Sequence, residues 1–258
     1  MKRLFSLSAM VLAAVSCSCL WGPAPAGQVN PDSKREWKLV WHDEFDYGNR
    51  DQLFKVWESA NGPTSHTLSS RWPENVETGG GTVRLVNHKE NRGGQEWTSG
   101  SLTSRKDFLY GYFECRYRYA AATGTNNSFW IASRNTSQMP ERGRPFEIDI
   151  NEGHYPSEYT NNLHDWTPSN HSSNGVAEKY PEIDFSKEFH TFGLEWNEEE
   201  LVYYMDRKEF RRIRNEFCLT PAPILLSEAV LAWGGAVTDA IDGTYMEVDY
   251  VRVYSRRR

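Results

Sequence analysis

Residues 146–152 read Phe-Glu-Ile-Asp-Ile-Asn-Glu, and this stretch decides the fold that we expect. Its alternation is typical of a β-strand with apolar residues on one face and Glu147 and Asp149 on the other. Strict alternation would place Glu152 among the apolar residues, where an unpaired carboxylate is very costly. We therefore predict a β-bulge with Asn151 as the additional residue, which returns Glu152 to the face of Glu147 and Asp149.

Three carboxylates on one face of a packed strand indicate chemistry. Neighbouring like charges repel, so at least one of these carboxyl groups is expected to keep its proton above its usual pKa. A pair of carboxyl groups, one ionised and one protonated, is what hydrolysis of a glycosidic bond requires. The alternatives are an exposed acidic edge strand or half of a cation site, but the apolar face favours a central strand.

The length and composition fit one large β domain and exclude some partners. The chain has 258 residues, a formal net charge of −6 and 14% aromatic residues. The acidic balance argues against nucleic acid as a partner. Aromatic rings stack on sugars, although large β cores also use them. Short strand-like segments and turns follow one another after residue 36, and we therefore expect an all-β sandwich or barrel with one domain, residues 37–258.

The first residues predict export. Two basic residues precede the apolar run 4–15, which is too short to span a bilayer, so residues 1–19 are interpreted as a signal peptide of lipoprotein type. Cys17 would carry the lipid, and ordinary cleavage near Ala26 is the alternative. Residues 20–36 are interpreted as a tether. We expect a cell-envelope lipoprotein, or otherwise a periplasmic or secreted protein, that touches the membrane only through this anchor.

The acidic strand resembles the Glu-x-Asp-x-x-Glu signature of glycoside hydrolase family 16 in its bulged form. Further segments resemble family strands and fall in the family's order: residues 41–46 (WHDEFD), 110–114 (YGYFE), 128–130 (SFW), 189–196 (FHTFGLEW) and 246–254 (MEVDYVRVY). The resemblance extends from about Trp37 to the end of the sequence. It implies a two-sheet antiparallel β-sandwich, a concanavalin-like jelly roll, with a concave substrate groove.

The resemblance also implies roles for the acids. Glu147 is expected to be the nucleophile, Glu152 the general acid and base, and Asp149 a helper between them. The implied activity is retaining, endo-acting hydrolysis of β-1,3 or β-1,4 bonds in a polysaccharide, without a cofactor. Because residues 126–130 (NNSFW) are closer to galactan-cleaving relatives, we expect a red-algal galactan such as agar, porphyran or carrageenan over a laminarin-type β-glucan. A transglycosylase and a non-catalytic carbohydrate-binding surface protein are the alternatives.

The remaining candidates are a substrate-binding set, a metal site and two cysteines. The substrate-binding candidates, for which core burial or a structural role is the alternative, are Trp130, His164, Trp166, Trp72, Trp97, Trp233 and Arg71. Glu44 and Asp249 resemble positions that flank a structural calcium ion in many family members. Cys115 and Cys218 are expected to be buried free thiols, with a disulfide between them as the alternative. We expect a monomer.

Overall fold

The computed structural model describes residues 28–32 and 36–257, so the predicted signal peptide and most of the predicted tether lie outside it. Strands make up most of the described chain. Numbered in chain order they are β1 Trp37–Asp43, β2 Trp57–Glu58, β3 Ser69–Arg71, β4 Val76–Gly79, β5 Thr82–Val86, β6 Trp97–Ser99, β7 Ser101–Phe108, β8 Gly111–Arg118, β9 Thr125–Ala132, β10 Phe146–His154, β11 Glu158–Asp165, β12 Ser172–Ser173, β13 Val176–Lys179, β14 His190–Trp196, β15 Glu200–Met205, β16 Lys208–Arg214, β17 Ala222–Val230 and β18 Tyr245–Arg256.

Helical structure is confined to short turns. One α-helical turn, α1, spans Arg50–Leu53, and three 3₁₀ turns span Pro73–Asn75, Ala232–Gly234 and Asp239–Ile241. Asn49 caps α1, because its side-chain oxygen accepts a hydrogen bond from the backbone N–H of Gln52. Across the described ranges, no helix has the length and apolar character needed to cross a membrane.

Two large antiparallel sheets form the sandwich. The groove sheet has the strand order β12-β11-β10-β9-β17-β7-β2, with β13 also paired to β11. The back sheet has the order β16-β15-β14-β8-β18-β5-β4, with β1 also paired to β18. A short parallel pair, β3 and β6, flanks them. This architecture confirms the predicted all-β, two-sheet antiparallel sandwich.

The core lies between the two sheets and is rich in aromatic and branched side chains. Phe146, Ile148 and Ile150 of β10 are fully buried there, as the alternation predicts. Complete burial of side chains of this size stabilises the fold by roughly 1.5–3 kcal/mol each. Cys115 and Cys218 are both buried as free thiols, in line with the expectation, and burial raises the pKa of each thiol.

The described part of the predicted tether differs from the expectation, because residues 28–32 pack on the outer face of the back sheet. Val29 is only 7% exposed and belongs to a small apolar cluster with Tyr112. Its backbone N–H donates to the carbonyl of Arg207 at 3.0 Å. Asp32 accepts a hydrogen bond of 2.7 Å from the Arg207 guanidinium. One buried apolar residue and one ion pair thus fix a segment whose composition is typical of a linker.

Candidate active site

The predicted bulge is present in β10, one residue earlier than expected. Against β9, Asp149 lies opposite Trp130 and Asn151 lies opposite Phe129, so Ile150 is the additional residue. The pairing with β11 shifts over the same interval. The prediction of a bulge is therefore confirmed, and the assignment of Asn151 as the extra residue is wrong for the pairing with β9.

The bulge turns two consecutive side chains inward. Ile150 and Asn151 are both fully buried. Asn151 can point into the core because its amide donates to the hydroxyl groups of Tyr117 at 2.6 Å and Tyr119 at 2.8 Å. Since two inward residues follow one another, Glu152 returns to the outward face of the groove sheet.

Close packing also fixes the residue that follows the motif. The ring of Tyr119 occupies the place beside Gly153 where a side chain would begin, since an added Cβ would lie 2.1 Å from that ring. Any larger residue would push the strand or the tyrosine out of position. This contact with Tyr119 fixes the end of β10 and therefore the position of Glu152, the residue before Gly153.

The outward face of β10 opens into a groove of about 470 Å³. Glu147, Asp149 and Glu152 all line it. Four of the predicted substrate-binding residues line it as well, namely Trp130, Trp166, Trp233 and Arg71. Residues of this groove that the sequence pattern did not single out include His66, Asn126, Ser128 and Ser227.

Burial raises the pKa values of all three acids, and repulsion from neighbouring acids adds to the shift at Glu147 and Asp149. Burial, and then the charge of Glu152, raise the pKa of Glu147 to about 7. Burial raises the pKa of Asp149 well above its usual range, with further contributions from the charges of Glu152 and Glu147. The pKa of Glu152 is also raised by burial, and a hydrogen bond from Asn126 opposes that shift. The cluster therefore keeps protons that exposed carboxyl groups would release at neutral pH.

Each acid has its own neighbour. The indole N–H of Trp166 donates to Glu147 Oε2 at 3.3 Å, and the amide of Asn126 donates to Glu152 Oε1 at 3.0 Å. Asp149 Oδ2 lies 3.3 Å from the Nε2 atom of His164. Within residues 28–32 and 36–257, His164 is the one basic side chain within 4.0 Å of these carboxylates.

His164 lies on β11 directly opposite Glu147 and belongs to the acid cluster. Asn162 accepts the backbone N–H of Leu163 through its oxygen at 2.9 Å. Its amide nitrogen therefore donates to His164 Nε2, at 2.9 Å. Burial, and then the neighbouring His171, lower the pKa of His164 to about 4. The imidazole is neutral at neutral pH and does not offset the negative charge of the acids.

His171 is a neighbour that the sequence did not indicate. It stacks on Trp166 with ring centroids 4.0 Å apart and an interplanar angle of 13°. Its Nε2 atom lies 3.0 Å from Nδ1 of His164. His171 comes from an exposed loop with no regular pattern, so no sequence signal identifies it.

Trp130 and Arg71 face the groove as predicted. Trp130 lies opposite Asp149, and its indole N–H donates to Ser227 Oγ at 3.1 Å. Burial lowers the pKa of Arg71 to about 10, although the negative charges of Glu228 and Glu147 act in the other direction. Arg71 thus brings a desolvated positive charge to the groove near the acid cluster.

Trp97 and Trp72 do not line the groove. Trp97 is 4% exposed and packs in a small apolar cluster with Ile241. Trp72 follows strand β3, donates to Ser70 Oγ at 2.7 Å and lies 3.9 Å from the guanidinium of Arg92. Both are substrate-binding candidates by residue type alone, and the packing of Trp97 on β6 and of Trp72 after β3 places them outside the groove.

Glu44 and Asp249 do not fit a shared calcium ion. Arg252 donates to both carboxylate oxygens of Glu44, at 2.9 and 2.8 Å. Asp249 is paired with Arg116. Each carboxylate already neutralises an arginine, whereas calcium prefers several free oxygen ligands. The expected calcium site therefore finds no support in this geometry.

The sandwich and the groove with its acid cluster define the class of glycoside hydrolases. A family model described as "Glycosyl hydrolases family 16" matches residues 63–252. The chain belongs to glycosyl hydrolase family 16 and is an endo-acting glycoside hydrolase, as the resemblance implied.

The chain is similar to curated proteins along most of its length. It is 29% identical to a beta-glucanase of Rhodothermus marinus, over 98% of this chain and 96% of that protein. It is 30% identical to a glucan endo-1,3-beta-glucosidase of Cryptopygus antarcticus, over 66% of this chain and 67% of that protein.

Solved structures resemble the whole sandwich. The laminarinase catalytic domain from Thermotoga maritima superimposes with a TM-score of 0.75 and 27% identity, covering 86% of this chain and 100% of that one. The endo-1,3-beta-glucanase (laminarinase) catalytic domain from Thermotoga petrophila gives a TM-score of 0.76 and 26% identity, covering 87% and 100%.

Proposed function

We propose that this protein is a retaining endo-β-glucanase that cleaves β-1,3 bonds in β-1,3-glucans or mixed β-1,3-1,4-glucans. The observation that carries the mechanism is the bulged strand β10, which directs Glu147, Asp149 and Glu152 into one groove with raised pKa values. The choice of glucan rests on the relatives, which are named as beta-glucanases and laminarinases.

This choice corrects the expectation of a red-algal galactan. That expectation depended mainly on residues 126–130, which contribute Asn126, Ser128 and Trp130 to the groove. Three residues on one strand are a small part of a groove that also draws on β10, β17, Trp166 after β11 and the loop before β3. The names of relatives that match nearly the whole chain favour β-glucans.

The proposed reaction is a double displacement. The ionised carboxylate of Glu147 attacks the anomeric carbon and forms a glycosyl ester, while protonated Glu152 gives its proton to the departing glycosidic oxygen. Glu152, now ionised, takes a proton from a water molecule that attacks the same carbon and releases Glu147. Retention of configuration requires the two carboxyl groups to lie roughly 5–5.5 Å apart.

The neighbours of the acids support this division of labour. The Trp166 N–H stabilises the anionic form of Glu147, and the charge of Arg71 has the same effect. Asp149 is the most buried of the three acids, and its raised pKa lets it hold a proton beside them. A protonated Asp149 adds no third negative charge to the cluster.

We also propose that the protein is exported and carries a lipid on Cys17. This proposal rests on the sequence of residues 1–19 alone. Metabolic labelling with a fatty acid tests it: wild type should be labelled and Cys17→Ser should not, whereas equal labelling or none in wild type would contradict the anchor.

A panel of polysaccharides tests the function. Purified protein is incubated with laminarin, lichenan, agarose, porphyran and carrageenan, and released reducing ends are counted, with Glu147→Gln as the matched control. We expect oligosaccharides from laminarin or lichenan and none from the galactans, and the control should release none. Proton NMR during the reaction should show the β-anomer first. Galactan cleavage would overturn the substrate proposal, and an initial α-anomer would overturn retention.

A further inference from the structure

A second cavity adjoins the groove at Trp233. It has a volume of about 250 Å³, and its lining includes His154, Ser157, Glu158 and Lys179. Trp233 lines both this cavity and the groove that contains the acids. One indole ring therefore borders both the groove and this cavity.

The side chain of Trp233 is exposed, although backbone hydrogen bonds fix the turn that carries it. It is 60% exposed. It lies in the 3₁₀ turn Ala232–Gly234, which is tied to the groove sheet by hydrogen bonds from Gly124 N to Gly234 O and from Leu231 N to Gly124 O, at 3.0 and 2.9 Å. The fold thus holds a flat aromatic ring at a fixed position in solvent, where a ligand can stack on it.

A buried histidine supports the indole. The rings of His154 and Trp233 pack edge to face, with centroids 4.9 Å apart and an interplanar angle of 87°. His154 is 7% exposed, and its Nδ1 atom lies 3.0 Å from Glu158 Oε1. Its Nε2 atom is buried and has no hydrogen-bond partner among the described residues. The contact with this buried ring fixes the position of the indole.

The position of the cavity along β10 relates it to the reaction. His154 comes two residues after Glu152, so the cavity adjoins the Glu152 end of the acid cluster. Trp166, which binds Glu147, marks the other end. In the proposed mechanism Glu147 lies beneath the anomeric carbon, whereas Glu152 lies beside the departing oxygen. Sugars that extend past Glu152 on this side would meet Trp233, which lines both spaces.

We infer that Trp233 and the adjoining cavity form a subsite for the leaving part of the substrate, in which the indole stacks on an uncharged sugar of the reducing-end side. This inference rests on the proposed function and adds a site for the departing chain. Flat aromatic faces suit the apolar face of a sugar ring. Because Lys179 lies 3.4 Å from Glu158, the charged groups of the cavity neutralise each other and give an anionic sugar no advantage.

The distribution of cut bonds tests the subsite. A β-1,3-linked glucose hexasaccharide, isotopically labelled at its reducing end, is digested with wild type, Trp233→Ala and Trp233→Phe, and the products are assigned by mass spectrometry. In Trp233→Ala the preferred cut should move towards the reducing end, because fewer sugars are held beyond the cleaved bond. We expect kcat/KM to fall about 10-fold, or about 1.4 kcal/mol, and Trp233→Phe should restore most of the wild-type pattern.

Trp72→Ala is the matched control, because Trp72 lies outside both cavities, and it should keep the wild-type pattern. A partly unfolded sample lowers the rate without moving the cut, so the pattern separates binding from folding. If Trp233→Ala cuts the same bonds in the same proportions as wild type, the inference fails while the proposed function stands. If wild type leaves the hexasaccharide intact, the proposed function fails and the inference fails with it.

Discussion

The two sheets each bury acidic side chains, but they treat them in opposite ways. On β8 of the back sheet, fully buried Glu114 accepts two hydrogen bonds from Arg207, at 2.9 and 3.0 Å. The hydroxyls of Tyr112 and Tyr250 also donate to it, at 3.0 and 2.9 Å. On β10 of the groove sheet, Glu147 accepts one indole N–H and has no arginine or lysine within 4.0 Å in the described chain.

The difference shows that hydrogen-bond donors and positive charges nearby, rather than burial alone, decide whether a buried carboxylate is structural or reactive. Glu114 has a charged partner and a full set of donors, so its charge is stabilised and it contributes to the structure. Glu147, Asp149 and Glu152 are short of positive charge, so burial raises their pKa values and protons can move among them. The fold thereby keeps one acidic site stable and leaves the other reactive.

The largest effect is expected from Glu147→Gln. Loss of the nucleophile should lower kcat by roughly four orders of magnitude, because no carboxylate remains to form the glycosyl ester. Initial rates on laminarin or lichenan measure this. Glu114→Gln is the matched control from the other sheet, and its folded fraction should keep kcat within about threefold of wild type. A similar fall in kcat in both variants would contradict the conclusion that only the acids of the groove sheet take part in the reaction.

Glu114→Gln, the control described above, should lower the stability of the protein. Glu114→Gln leaves the Arg207 charge without its buried partner, so we expect the free energy of unfolding to fall by about 3–5 kcal/mol. Urea unfolding monitored by tryptophan fluorescence measures it. The double variant Glu114→Gln with Arg207→Met should recover part of the loss. If Glu114→Gln were as stable as wild type, the ion pair between Glu114 and Arg207 would not stabilise the back sheet.

Glu147→Gln should stabilise the protein above neutral pH. The folded-state pKa of Glu147 is raised from 4.5 to about 7, so its contribution to stability is present below about pH 4.5 and is lost as the pH rises through about 7. At pH 8 wild type must bury the charge, whereas glutamine carries none. We expect a gain of about 2 kcal/mol at pH 8 and little change at pH 4. Urea midpoints at both pH values measure it, and an equal effect at both would contradict the raised pKa.

Asn126→Ala should produce the smallest effect. The Asn126 amide stabilises the ionised form of Glu152 and opposes the raised pKa, so its removal should raise that pKa further. Glu152 would then stay protonated to higher pH, and the alkaline limb of kcat against pH should move up by roughly 0.7 pH units, the equivalent of about 1 kcal/mol. An unchanged or lowered limb would show that this hydrogen bond does not control the acid.

The sequence predicted those features that depend on local alternation. The spacing within residues 146–152 was enough to predict the bulge and the shared face of the three acids, because a carboxylate among apolar side chains is costly. The location of the extra residue differed, since either Ile150 or Asn151 can lengthen the strand by one. Only the register with β9 distinguishes them.

Features that depend on packing between distant segments could not be predicted. Trp130 and Trp97 both lie on strands, yet one faces the groove and the other is buried, because neighbouring segments decide which face is covered. His171 joins the acid cluster through a loop without a pattern. Val29 is buried only because the back sheet offers an apolar surface to a segment with the composition of a linker.

Chemical rescue of Glu152→Ala tests the central claim, that the bulge places Glu152 in the groove as the acid and base beside a separate nucleophile. The variant is given a dinitrophenyl β-glycoside of a β-1,3-glucose oligomer, whose leaving group needs no proton, with and without azide. We expect azide to accelerate turnover and to give the β-glycosyl azide, since azide attacks the glycosyl ester on Glu147. No acceleration, or an α-glycosyl azide, would contradict it.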